Sequence, residues 1–443
     1  MNLQKIDLSE AVAALLARGE PLTAAQLAAA TQKSISSISL AVQKLGDRVQ
    51  RIGAARSTRY ALKKDILGLA PQQALRWFGE PNMGFATAHF THLAGGWLHV
   101  VCQTNGGKSQ EWLGQQLPWF LSTLRPQGYL GRQLARWLPQ LPSDPAQWSL
   151  VQLLYCLTLI SDPIGAVGLI STAARPTHLR ITSLAQRDAQ FDIRADNDPG
   201  QLPAGSSAAG EQPKFMVNVL GQTCIVKFAP PNGTPFGQRW RALLMLEKLA
   251  LEILQSHAIP SAGTEIVQTQ RRTYLQSARF DRDLEHGARH IVAIAAIHDE
   301  FVDGSWANWV KTSEALAKKG LITAPELSQV ASIFAFGHYI GNTDMHSGNL
   351  SFFVDDVITP KIRLAPVYDM LPMMWRPDIH QGDLSDSPIR PQLMPTGFAA
   401  EQAQAREWAI EFWERAAQLD IGADLQSASL ESARRLKTNF ADL

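Results

Sequence analysis

The chain has 443 residues, 45% of them hydrophobic and 18% charged, which is long enough for two or three domains and excludes disordered, collagen-like and coiled-coil classes. Its net charge of +1 divides unevenly: residues 1–65 hold ten Lys/Arg against five Asp/Glu, and the rest hold 31 against 35. A basic end on a slightly acidic body points to an anionic partner for the first segment alone. The three cysteines, Cys102, Cys156 and Cys224, are far apart, so neither a disulfide framework nor a paired-cysteine zinc site is expected. Glu10 and Arg18 interrupt the apolar N-terminus, and Asp162 and Pro163 interrupt the most apolar run. Neither a signal peptide nor a membrane span is read, and a cytoplasmic chain without a membrane partner is expected.

In chain order, Leu8 to Ala17 carries Val12, Leu15 and Leu16 on one helical face and stops at Gly19. Thr23 caps a short second helix. Ser34 opens a third, with Ile35, Ile38, Val42 and Leu45 at helical spacing and Gly46 at its end. Two short strands follow around a basic tip, Val49 to Ile52 and Arg56 to Leu62. Three helices and a hairpin resemble a winged helix-turn-helix over residues 1–66. That resemblance implies DNA as partner, with Lys33, Ser36, Ser37, Leu40, Gln43 and Lys44 facing outward from the third helix. Arg51, Arg56 and Arg59 would lie near phosphates or the minor groove. The helix is serine-rich and has no cluster suited to bidentate base contacts, so strong sequence specificity is not expected. The competing reading is a winged helix used for protein contact or dimerisation.

Residues 66–190 carry Trp77, Trp97, Trp112, Trp119, Trp137 and Trp148 at irregular spacing, which reads as core rather than a base-stacking platform. Residues 117–138 read as helical pieces broken at Pro126 and Gly128.

The chemistry lies between 205 and 370. Asn342-Thr-Asp344-Met-His346-Ser-Gly-Asn349 precedes an apolar strand, Leu350 to Val354, and a second strand from Lys361 ends at Tyr368-Asp369. A carboxylate, an amide five residues on, a hairpin and a second carboxylate form the layout of phosphoryl transfer. Asp344 is placed to orient or deprotonate a hydroxyl, and Asn349 and Asp369 offer oxygens to Mg²⁺. Upstream, the small-residue loop holding Ser207, Ala208, Ala209 and Gly210 precedes strands Phe215 to Leu220 and Thr223 to Phe228. Such a loop lets backbone N–H groups approach phosphates, with Lys227 on the adjacent strand and a long helix, Gln238 to Leu254, after it.

Residues 70–420 resemble the HipA family of serine/threonine kinase toxins. The resemblance rests on Ser207-Ala-Ala-Gly-Glu-Gln-Pro-Lys214, Ile225-Val-Lys227, Ala278-Arg-Phe-Asp-Arg282, residues 342–349 and Ala365-Pro-Val-Tyr-Asp369, with weaker support from Pro163-Ile-Gly-Ala-Val167. It implies an α+β, bilobal kinase-like fold with a mostly helical C-lobe: a winged helix at 1–66, an N-lobe at 67–282 and a C-lobe at 283–443. It also implies ATP and Mg²⁺ as cofactors, Asp344 as catalytic base, His346 as loop support, Asn349 and Asp369 as metal ligands and Lys227 as phosphate contact. Ala278 to Phe280 would form the hinge beside adenine, although Ala278 stands where the family usually carries Glu. Ser207 would be the autophosphorylated serine. The glutamate partner of Lys227 is Glu247 or Glu252. Family members target aminoacyl-tRNA synthetases and use a separate antitoxin for DNA binding, which the fused winged helix would make dispensable. Two other readings stand beside this one: a Mg²⁺-dependent deoxyribonuclease using the same Asp/Asn/His cluster, and a DNA-binding regulator with a nucleotide-sensing pseudokinase.

Overall fold

The computed structural model describes residues 7–80, 83–160, 162–169, 179–197, 212–283, 287–377, 385–390 and 397–438. At the N-terminus, Asp7 caps helix α1 (Leu8–Leu16) by accepting from the Ser9 N–H. Thr23 and Gln26 form a capping box on α2 (Ala24–Thr31), and Ser34 caps α3 (Ile35–Leu45). Val12, Leu16, Leu27, Ile38 and Leu45 pack into a small core. Strands β1 (Leu22–Thr23), β2 (Val49–Ile52) and β3 (Arg59–Leu62) form a sheet in the order β1-β3-β2.

That hairpin serves two cores. Val49, Tyr60 and Leu62 pack on the helices, while Ile52 and Ala61, of the opposite parity, pack on Leu93. Leu93 belongs to a five-stranded antiparallel sheet made of β4 (Gln72–Trp77), β5 (Thr87–Leu93), β6 (Trp97–Gln103), β7 (Ser109–Gly114) and β8 (Val167–Leu169), in the order β7-β6-β5-β4-β8. A short 3₁₀ segment, Trp119–Leu124, buries both of its aromatic rings, and α4 (Gly128–Arg136) and α5 (Leu150–Leu157) follow. The break expected at Pro126 and Gly128 is present. The sheet itself is a feature that the tryptophan-rich sequence did not announce.

A second five-stranded sheet follows: β9 (Arg180–Ile181), β10 (Lys214–Val219), β11 (Gln222–Phe228), β12 (Thr264–Gln268) and β13 (Thr273–Ala278), in the order β12-β13-β11-β10-β9. Alternation divides its faces. Phe215, Val217, Val226 and Tyr274 pack on Phe191 of α6 (Leu184–Asp196), whereas Lys214, Met216, Ile225 and Lys227 share the other face. The 22-residue helix α7 (Pro235–Ser256) packs against this sheet and the helices beyond.

After a two-residue pairing of β14 (Arg282–Asp283) with β15 (Gly287–Ala288), the chain is mainly helical: α8 (Ile294–Phe301), α9 (Trp309–Lys318), α10 (Ala324–Tyr339), α11 (Ala399–Ala416) and α12 (Ala423–Thr438). Trp309, Phe336, Trp375, Phe412 and Trp413 are fully buried there. A small sheet, β16 (Ile291–Ala293), β17 (Ser351–Asp356) and β18 (Lys361–Leu364), carries the loop of interest at one end. Val367 exchanges backbone hydrogen bonds with Pro260 and Ala262, both at 2.9 Å, and so pins the chain after β18 to the chain before β12. Among the described residues no helix is long and apolar enough to cross a membrane.

Buried charges knit the first sheet to the second. The Arg279 guanidinium donates to Asp162 at 2.6 Å and to Asp281 at 2.7 Å, and Arg282 reaches the same two carboxylates. The Gly165 N–H donates to Asp281 at 2.7 Å. His290, 1% exposed, donates from Nε2 to the Phe120 carbonyl at 2.7 Å and accepts at Nδ1 from the Ala166 N–H at 3.2 Å. Both ring nitrogens are therefore used by the neutral ring, and burial pushes its pKa down to about 4.

A protonated ring loses the Ala166 bond, so the fold binds fewer protons here than the unfolded chain does. The His290 contribution is complete above an unfolded value of about 6.5 and is lost as pH falls toward 4, amounting to about 3 kcal/mol. Urea titrations of wild type should show that fall between pH 7 and pH 4.5. His290→Gln should flatten it, and equal slopes in the two proteins would contradict the assignment.

Candidate active site

Lys227 sits near the end of β11 with its side chain inside the molecule, 8% exposed. Its ammonium donates to both oxygens of Glu247, at 2.6 and 2.8 Å, and to Asp369. Glu247, 2% exposed, comes from α7. Asp369 follows β18 in the left-handed region, φ 52°, an uncommon conformation for a residue with a Cβ. The Asn342 side-chain amide holds it there by donating to its carbonyl at 3.3 Å. Of the two glutamates considered for Lys227, Glu247 is the partner; Glu252 pairs with Lys248, one helical turn away.

One cation thus faces two carboxylates in a buried space. Burial opposes the Lys227 charge, but Asp369 and Glu247 outweigh it and raise the pKa of the ammonium. Burial also raises Asp369, yet Lys227 and then Lys214 hold its carboxyl down at about 2. Glu247 is pushed up, first by burial and further by the charge of Asp369, against the pull of Lys227. Lys214 is a residue that the sequence reading passed over as a contributor. It lies directly opposite Lys227 in the β10–β11 register. The signal was available, since the two lysines are equally distant from the Leu220-Gly221 turn and must share a face.

The loop between α10 and β17 is built by its own side chains. Asn342 Oδ1 accepts from the Asp344 N–H at 3.0 Å, and the Asp344 carbonyl accepts from Asn349 Nδ2 at 2.8 Å. His346 Nδ1 accepts from the Gly348 N–H at 2.9 Å, so the ring closes a turn. The Trp309 indole donates to the His346 carbonyl at 2.9 Å, and the Tyr368 hydroxyl donates to the Gly348 carbonyl at 2.8 Å. These bonds occupy the backbone and leave the reactive atoms over. The half-buried Asp344 carboxylate and the Asn349 Oδ1 accept no hydrogen bond among the described residues.

For a magnesium ion the donor chemistry fits: Asn349 Oδ1 and the Asp369 carboxylate are hard oxygens. Among the described residues no three His, Cys, Asp or Glu side chains gather as a metal cage. Two protein oxygens, with phosphates completing the shell, is the arrangement Mg²⁺ favours.

The remaining expected residues are placed as follows. Ser207, Ala208, Ala209 and Gly210 lie outside the described residues. Ala278 ends β13 opposite Cys224, and Phe280 packs edge-on against Phe353 and near the Tyr368 ring. Between them Arg279 turns inward to its carboxylates, so this segment is a structural junction as well as a neighbour of the site.

At the N-terminus, Lys33, Ser36, Gln43, Arg51 and Arg59 are exposed. Ser37 is half-buried and its hydroxyl bonds that of Ser34, the cap residue, at 2.9 Å. Lys44 is exposed but pairs with Asp7. Arg51 opposes Tyr60 and Arg59 opposes Ile52, which puts the two arginines on opposite faces of the hairpin and not on one basic surface. The Arg56 side chain lies outside the described part. Leu40, on the same helix, is 67% exposed.

A lysine strand, a carboxylate-bearing helix over it, and a helical lobe presenting an Asp-Asn loop with a further Asp define a bilobal, kinase-like fold. The HipA-like C-terminal domain family matches residues 206–440, and the middle domain of YjjJ-like toxins matches residues 83–175. The chain belongs to the HipA-like toxin family. It is 34% identical to Toxin YjjJ of Escherichia coli (strain K12) over 393 residues, covering 84% of this chain and 85% of that one. Among solved structures it is similar to HipA of Shewanella oneidensis MR-1, determined with HipB and its operator DNA, with a TM-score of 0.51, 17% identity and coverage of 82% of this chain and 95% of that one. The Helicobacter pylori proinflammatory kinase CtkA is similar at 13% identity, with a TM-score of 0.37 over 52% of this chain and 91% of that one.

Removing the Lys227 ammonium strands the buried carboxylate of Glu247 and the half-buried one of Asp369. Lys227→Met should cost about 3–5 kcal/mol of unfolding free energy near neutral pH. Adding Glu247→Leu should recover part of that loss. A Lys227→Met protein as stable as wild type by urea titration would contradict the burial and charge account.

Proposed function

We propose that the chain is a HipA-like toxin acting as an ATP- and Mg²⁺-dependent protein serine/threonine kinase. The observation that carries this reading is the Lys227–Glu247–Asp369 ion cluster, tied to the Asp344–Asn349 loop by the Asn342–Asp369 and Tyr368–Gly348 hydrogen bonds. Lys227 and Lys214 supply positive charge where α- and β-phosphates would lie. Asn349 and Asp369 would hold Mg²⁺, which neutralises charge on the phosphates when bound. Asp344 takes the proton of the substrate hydroxyl as its oxygen bonds to the γ-phosphorus; the bond to the β,γ-bridging oxygen breaks, and ADP leaves. His346 holds the loop closed and takes no part in proton transfer.

The small-residue loop with Ser207 is assigned to the phosphates, and its phosphorylation to self-regulation. The protein substrate is assigned to the aminoacyl-tRNA synthetases that the family targets. Residues 1–66 are assigned as a winged helix that brings DNA to the same chain, with the N-lobe at 67–282, the C-lobe at 283–443 and a cytoplasmic location. A HipA relative was solved with operator DNA, and here the basic segment is fused to the body. Fusion makes a separate antitoxin dispensable for DNA contact.

A nuclease would have no use for a buried lysine held by a helix glutamate, so the Lys227–Glu247 pair favours nucleotide. Mg-ATP at about 100 Kd should stabilise the fold by about 2.7 kcal/mol. Asp344→Ala and Asp369→Ala should each lower the transfer rate by about 10³-fold or more. Measured with labelled ATP, full transfer by Asp344→Ala would end the assignment of the base. Plasmid nicking with Mg²⁺ and no ATP, abolished by Asp369→Ala, would replace the kinase with the nuclease.

A further inference from the structure

The two aspartates of the site arrive on different pieces of chain: Asp344 on the loop between α10 and β17, and Asp369 after β18. One side chain, that of Asn342, bonds to both residues. It is 4% exposed. Its Oδ1 accepts from the Asp344 N–H at 3.0 Å, and its Nδ2 donates to the Asp369 carbonyl at 3.3 Å, with the Met370 Sδ at 3.6 Å from the same nitrogen. A backbone N–H only donates and a carbonyl only accepts, so a single orientation of the amide serves both.

The end of α10 does not need these bonds. The Asn342 main-chain N–H already donates to the Gly337 carbonyl at 2.8 Å and closes the helix without the side chain. Both side-chain bonds end on backbone atoms of the aspartates. They fix where the two residues sit and leave both carboxylates to other partners. At Asp369 the backbone so held is left-handed, φ 52°, a conformation that persists only where the surroundings impose it. Among short side chains, asparagine alone carries an acceptor and a donor on two atoms of one plane. Aspartate lacks the donor, and glutamine is a methylene longer.

We propose that Asn342 is a positioning residue of the site: its amide sets the base-bearing loop and the metal-binding aspartate in register with each other. It touches neither substrate nor metal and acts only through Asp344 and Asp369. The inference rests on the kinase reading and adds the device that makes two separate chain segments address one phosphate. The acceptor half of the amide serves Asp344 and the donor half serves Asp369, so substitution separates them.

Asn342→Asp keeps an acceptor for the Asp344 N–H and loses the donor to Asp369, whereas Asn342→Ala loses both. The probe is the β,γ-imido analogue of ATP, titrated calorimetrically into the full chain with EDTA or with Mg²⁺. Asn342→Asp should match wild type in EDTA and should lose about tenfold of the affinity that Mg²⁺ adds. In an Asp369→Ala chain the same substitution should cost no further affinity, because the carboxylate it positions is gone. Asn342→Ala should show the same loss of affinity, and its transfer from labelled ATP at saturation should be about tenfold slower than that of Asn342→Asp. Urea titration gives the folded fraction of each; if Asn342→Ala does not fold, the nearly isosteric Asn342→Asp decides alone. A folded Asn342→Asp with the full Mg²⁺-dependent affinity overturns the proposal. Equal losses with EDTA and with Mg²⁺, or an equal loss in the Asp369→Ala chain, reduce Asn342 to a structural role and overturn it too. Wild type that binds no Mg-nucleotide removes the kinase reading and this proposal together, whereas the preceding outcomes remove this proposal alone.

Discussion

One ammonium serves a buried carboxylate and a half-buried one, and the architecture of both lobes follows from bringing the three together. Lys227 comes from a strand, Glu247 from the long helix, and Asp369 from the chain that leaves the small sheet. None of the three is stable in that place alone. An unpaired buried charge costs several kcal/mol, and a pair recovers that cost only with good geometry. The Val367 backbone bonds to Pro260 and Ala262 supply the geometry from outside the cluster, because they fix where Asp369 can be. The left-handed backbone of Asp369, held by Asn342, sets the direction of its carboxylate. The cluster carries one negative charge more than it neutralises. Lys214, on the same face of the sheet, offsets that excess.

A second buried cluster does a different job. Arg279 and Arg282 against Asp162 and Asp281 balance in charge, and no reactive atom is left over. The motif around Pro163 and the motif from Ala278 to Arg282 are far apart in sequence, but they are halves of one junction between the two large sheets. Both motifs therefore meet one architectural constraint. The contrast separates the two kinds of charged site: balance and full hydrogen bonding mark structure, while residual charge and unengaged oxygens mark chemistry.

This distinction also explains what was legible in the sequence. The Asp344–Asn349 spacing, the hairpin carrying Lys227 and the long helix after it are local patterns, and caps, alternation and turn residues encode them directly. The β10–β11 hairpin and the N-terminal helices stand close to the boundaries that their spacing predicts. The first sheet was not legible, because its strands carry His89, Thr91, His92 and His99 among their apolar residues and blur the alternation. The choice between Glu247 and Glu252 was not legible either. Both lie on one helix, and only the crossing of that helix over the sheet decides which faces Lys227. Ser37 has a local partner that the spacing could have given: a serine three residues after a capping serine is within reach of its hydroxyl. The opposition of Arg51 and Arg59 needed the hairpin register, which a six-residue tip leaves undetermined until Ile52 and Arg59 are seen as partners.

The hairpin at the N-terminus imposes a last constraint. A sheet with one solvated face tolerates movement relative to its neighbours, but this one is apolar on both faces. Ile52 and Ala61 are buried against Leu93, while Tyr60 and Leu62 pack half-buried on the helices. Gln50 extends the contact by bonding His99 at 3.2 Å, which in turn bonds Glu111 at 3.1 Å, and Glu111 accepts from the Gly53 N–H at the tip. Separating the N-terminal unit from the body would expose apolar surface and break this chain of polar contacts at once. The two parts therefore share one sheet and one chain of polar contacts. A partner of the basic segment would have to accept the hairpin in the orientation that these contacts with the body give it.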